Sequence, residues 1–237
     1  MFQTLKRGMV AGAVAGAVYG LFVWLVVNPL TAAVEHAGHA HEHSGAEPAV
    51  SELTTAVASA GGGMLWGILL GAGFGVAYFL FEPALPGEDL RAYVLAGAGF
   101  LTVSVGPWAV LPPATPGAEA LLPTKTRIAI YGAMMIAGAV VAATSILAYN
   151  RVAPRRGRVA ALVAASVPLA VLAAISVVSP AFFGESGVAA DLATAYQWTV
   201  VFGQAGLWGL IATTFARFDA GDVHETTTSA TTGYPAD

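Results

Sequence analysis

Four of the five histidines of this chain fall within eight positions, in Glu35-His-Ala-Gly-His-Ala-His-Glu-His43. Imidazole nitrogen is a borderline ligand that suits Co²⁺, Ni²⁺, Cu²⁺ and Zn²⁺, and carboxylates complete such shells. If the stretch is helical, His36, His39 and His43 share one face at i, i+3 and i+7. If it is extended, His39, His41 and His43 alternate onto one side. Either geometry gathers three nitrogens, with Glu35 and Glu42 beside them. The bland alternative is a polar loop enriched in histidine by chance. Dense histidine tracts favour metal contact, so His36, His39, His41, His43, Glu35 and Glu42 form the candidate metal set. Gly38 and Ser44-Gly45 make the segment a loop able to wrap an ion and release it.

The elements that must hold this loop are read from composition. On the count that includes glycine, about two thirds of the residues are apolar, against about 45–50% for soluble domains. Only 10% are charged. That leaves too little polar surface for a water-soluble domain and points to an integral membrane protein. Six apolar stretches lie near 8–27, 58–81, 92–111, 128–149, 159–180 and 197–216. Each is long enough to cross about 30 Å of hydrocarbon as a helix. The fold expected is therefore an all-α bundle of six transmembrane helices. It would have five if the fifth stretch, which contains Pro168, does not cross.

With the N-terminus inside, the inner side holds Lys6, Arg7, Arg91, Arg151, Arg155, Arg156, Arg158 and Arg217. The outer side holds only Lys125 and Arg127. This asymmetry places both termini in the cytoplasm and the His-rich loop 28–57 outside. The first stretch is too long for a cleaved signal segment. Residues 1–218 are thus expected as the transmembrane domain, and the Thr-rich residues 219–237 as a solvated, disordered cytoplasmic tail.

Gly8, Gly12, Gly16 and Gly20 recur every fourth residue in the first helix, as do Gly63, Gly67, Gly71 and Gly75 in the second. Each set forms one smooth stripe, and in lipid such stripes let backbones approach closely. The two helices are expected to pack through them. No Asp, Glu, Lys, Arg or His lies at the centre of any stretch. The polar candidates within the spans are Thr102, Ser104, Tyr131, Thr144, Ser145 and Gln204. Gln204 is expected either to bond another helix or to line a path. Gly106-Pro-Trp108, followed by Pro112-Pro113, is expected to break the third helix near the outer face.

Several chemistries are excluded or disfavoured. There is no cysteine, so thiolate metal sites and disulfides are absent. No P-loop and no His-Glu-x-x-His motif occur. An enzyme is not expected, nor a bis-His haem, nor, at net charge −4, a nucleic-acid partner.

The order of motifs also resembles a known family. A basic tip leads into a Gly-rich first helix ending at Asn28-Pro29-Leu30, and Gly71-x-Gly-Phe-Gly75 follows. Then come Gly99-Phe-Leu-Thr-Val-Ser-Val-Gly-Pro107, Pro112-Pro113, Thr126-Arg-Ile-Ala-Ile-Tyr131 and Gly203-Gln-Ala-Gly-Leu-Trp208. Together these resemble the CbtA family of proposed cobalt transporter subunits over nearly the whole membrane region. The resemblance implies a multi-pass protein of the prokaryotic inner membrane with a role in cobalt uptake for cobalamin biosynthesis. It also implies a small one-helix, His-containing partner protein (CbtB-like). It transfers no metal ligands, so the histidine loop rests on its own chemistry. The function expected is a permease subunit for a divalent transition metal, Co²⁺ before Ni²⁺ or Zn²⁺, with the metal as substrate and no organic cofactor. The competing expectation is a membrane-bound metal sensor or chaperone that binds metal without moving it.

Overall fold

The computed structural model describes residues 1–38, 52–118, 120–179 and 189–231. Its elements are helices. α1 (Phe2–Phe22) passes through a π-helical turn, Val23–Val27, into α2 (Asn28–Gly38). α3 (Glu52–Phe81) returns and ends in short 3-10 turns. α4 (Arg91–Phe100) passes through a second π-helical turn, Leu101–Val105, into the short α5 (Gly106–Trp108). α6 (Thr124–Val178) and α7 (Ala190–Thr231) complete the chain. The Thr-rich segment expected as a solvated tail follows Phe218, and the backbone of α7 carries on through it to Thr231.

Among the described residues, five continuous helices are long and apolar enough to cross a membrane. One of them is long enough for two crossings. α6 has 55 residues, far more than one span needs, and is broken at Gly157, where φ is 82° and ψ 171°. Only glycine adopts that backbone without strain. Leu169 lines the same cleft as Leu101 and Ala142. Along a straight helix, Leu169 and Ala142, about 27 residues apart, would be roughly 40 Å from each other. The chain therefore doubles back at Gly157. Leu172, Ala173, Ser176 and Val177 then climb beside Val105, Trp108 and Ala109. Among the described residues the six apolar stretches expected thus fall on five helices, the fourth and fifth on the two limbs of α6.

The glycine stripes meet as their spacing foretells. A Cβ on Gly16 would lie 2.6 Å from the Gly63 carbonyl oxygen, and one on Gly20 2.7 Å from that of Ala60. Gly8 and Gly12 press still closer on the carbonyls of Gly71 and Gly67. α7 seats on this pair. Phe215 is fully buried, its ring 5.1 Å from that of Phe74 and 4.8 Å from that of Tyr78. Leu207, Ile211 and Ala212 continue the core toward Ala11 and Ala15. Trp208 lies across Gly99 of α4, where no side chain would fit.

Two boundaries differ from expectation, for one reason. The loop expected from residue 28 begins as helix α2, and the third helix runs to Trp108 through Pro107. In both places a five-residue π turn ends two residues before a proline, Pro29 or Pro107. A proline in an α-helix clashes with the carbonyl four residues back and leaves it unbonded. The wider π turn moves that carbonyl aside, so the helix continues.

The face that carries the N-terminus also carries Phe218, beside Gln3, Lys6 and Arg7, and Asn150, whose Nδ2 donates to the Ala84 carbonyl at 2.7 Å. α2 and the segment 109–118 lie at the opposite face.

Two outcomes test this architecture. Gly12→Leu or Gly67→Leu should lower stability in detergent by about 3 kcal/mol or prevent folding, because the backbones must separate. Gly73→Ala, where nothing lies within 4 Å, should be neutral or mildly stabilising. For the crossings, reporters fused after Asn150 and after Ser179 should report opposite sides of the membrane, whereas the same side for both would remove the reversal at Gly157.

Candidate metal-capture site

The first span reaches the face opposite the termini through the Val23–Val27 π turn and continues as α2. Two hydrogen bonds fix the start of α2. Asn28 Nδ2 donates to Ser59 Oγ on α3 at 2.8 Å, and Thr31 Oγ1 donates to the Val27 carbonyl at 2.9 Å. Val34 is fully buried, and α2 packs on α7. With the helix so held, Glu35 and His36 stand exposed at its end.

His36 is held in one tautomer. Its Nδ1–H donates to the Ala32 carbonyl, one turn back, at 2.6 Å. A backbone carbonyl can only accept, so Nδ1 carries the proton. In the neutral ring Nε2 then keeps its lone pair. Among the described residues no group of three or more His, Asp or Glu is close enough to hold an ion. Of the expected set, Glu35 and His36 lie together on α2, while His39, His41, Glu42 and His43 fall outside the described residues.

Within the spans, polar side chains bond one another or backbone carbonyls. Gln204 Nε2 donates to Tyr19 Oη at 2.9 Å, joining α7 to α1. Of the two roles expected for Gln204, interhelical bonding is the one seen. Thr102 and Thr144 return their hydroxyl protons to carbonyls of the preceding turn. Tyr131 does more. Its Oη donates at 2.7 Å to the carbonyl of Val103, the residue four before Pro107. A hydroxyl on α6 thus satisfies the acceptor that the proline leaves open. The helices are close enough because Gly138 meets this turn, where a Cβ would lie 2.9 Å from the Leu101 carbonyl oxygen. Sequence reasoning marked Tyr131 only as polar; its distance from Pro107 on another helix carries no local signal. Ser104 is buried within the turn, and Ser145 Oγ is buried without a partner beside Gly97 and Leu101.

Among the described residues, helices long and apolar enough to cross a membrane pack into one all-α bundle, the architecture of a multi-pass membrane protein. The chain belongs to the family described as probable cobalt transporter subunit (CbtA), whose family model matches residues 2–219. Neither the curated proteins nor the solved structures include a match to it.

The Tyr131 bond has a measurable worth. Tyr131→Phe should lower unfolding free energy by about 1 kcal/mol. In the Pro107→Ala background, which returns a backbone donor to the same turn, the cost should largely vanish. Equal losses in both backgrounds would mean that the hydroxyl does not serve the proline's carbonyl.

Proposed function

We infer that this chain is the membrane-embedded subunit of a Co²⁺ importer, and that the loop after α2 captures the ion for the bundle to pass inward. The observation that carries this reading is His36 at the exposed end of α2, its Nδ1 engaged by Ala32 and its Nε2 free. His39, His41 and His43, with Glu35 and Glu42, follow within reach of one ion along the sequence and would complete its shell. Membership of a cobalt transporter subunit family supports Co²⁺ as the substrate; Ni²⁺ and Zn²⁺ share the ligand preference.

The terminal face carries Lys6, Arg7, Arg91, Arg151, Arg155, Arg156, Arg158 and Arg217, and the opposite face Lys125 and Arg127. That bias supports cytoplasmic termini and an extracytoplasmic histidine loop in a prokaryotic inner membrane. Transporter subunits work with partners, and a one-helix, His-containing protein is the partner we propose. The absence of His or carboxylate at the centre of any apolar stretch supports a loop that concentrates the ion and is not an obligatory relay.

Purified protein should bind Co²⁺, and binding should weaken as pH falls and imidazoles take up protons in place of metal. Replacing His36, His39, His41 and His43 together by Ala should remove most of this affinity and leave thermal stability unchanged. In cells the same variant should lose uptake at scarce cobalt and regain it when cobalt is plentiful. Unchanged titration curves would refute the loop as the site.

A further inference from the structure

The reversal of α6 presents Arg151, Arg155, Arg156 and Arg158, all exposed, around Pro154 and Gly157. Among the described residues none of the four has a hydrogen-bond or ion-pair partner, whereas Arg91, at the same face, bonds Glu82 at 3.3 Å. The turn is not a loose loop. Gly157 sets its backbone, and Asn150 ties it to the Ala84 carbonyl.

Immediately beyond the turn, Val159 is 78% exposed, Leu162 61% and Val163 63%. Of the second limb, residues 158–178, only Ala161 and Leu172 are buried. An outward apolar row therefore starts where the guanidinium cluster ends. In a membrane the row lies against acyl chains, and the cluster at the level of the headgroups. All four cations are arginine and none is lysine. The planar guanidinium fork grips phosphate oxygens in pairs, which an ammonium cannot do.

We propose that the Arg151–Arg158 turn is a binding site for anionic phospholipid, the guanidinium groups holding the headgroup phosphate and the Val159–Leu162–Val163 face the acyl chains. The lipid completes the packing of a limb that the protein itself covers thinly.

The full-length protein in neutral detergent tests this, titrated with phosphatidylglycerol, with phosphatidylcholine and with inorganic phosphate. Lipid retention is read by native mass spectrometry and stability by thermal unfolding. Phosphatidylglycerol should be retained and raise the unfolding midpoint, while phosphatidylcholine and millimolar phosphate should do neither. Arg155→Gln and Arg156→Gln should each weaken phosphatidylglycerol binding about fivefold. Changing all four arginines to lysine keeps the charge that sets orientation. It should still weaken binding several-fold, since the fork is lost. Arg127→Gln, on the opposite face, should change nothing. Equal retention of both lipids, a lysine variant that binds like the wild type, or an equal loss in Arg127→Gln would each overturn the proposal.

Discussion

Hydrocarbon offers a backbone nothing to bond with and gives helices no solvent force to drive them together. This structure answers with contact between glycine backbones. α1 and α3 touch along two four-residue glycine repeats, at distances that admit no Cβ. The pair so formed is narrow enough for α7 to seat Phe215 against Phe74 and Tyr78. α7 in turn lays Trp208 over Gly99 and so positions α4. Were the first pair to separate, each later contact would lose its seat.

The same constraint accounts for the irregular backbone. Pro29 and Pro107 each follow a π turn at the same spacing. At Pro107 the carbonyl left open is met by a tyrosine from a neighbouring helix, through a gap that Gly106 and Gly138 keep small. The π turn before Pro29 lets the first span run into α2 unbroken. That continuity sets Glu35 and His36 on a helix, where one carbonyl can fix the imidazole tautomer.

Much of this was legible in the sequence, and the reasons differ by element. The apolar stretches follow from length and composition, and the α1–α3 interface from a period of four, because both signals are local. The π turns were not legible. Asn28-Pro29 and Gly106-Pro107 read as helix ends, since the sequence shows the missing donor but not the turn that accommodates it. Tyr131 could be marked as polar, yet its partner lies 28 positions away on another helix. The histidine cluster was legible as chemistry. Only Glu35 and His36 of that cluster have described positions, so its geometry as a shell stands as a proposal.

The central claim is that metal captured at the face opposite the termini crosses the bundle. Right-side-out membrane vesicles from cells expressing the chain, loaded with a dye quenched by Co²⁺, measure this directly. The account predicts that external Co²⁺ quenches the lumenal dye faster than in vesicles lacking the chain. The excess should saturate with cobalt and, at low cobalt, depend on the four loop histidines. Vesicles that bind Co²⁺ through those histidines while the lumenal dye stays unquenched would contradict it and make the protein a metal binder that does not transport.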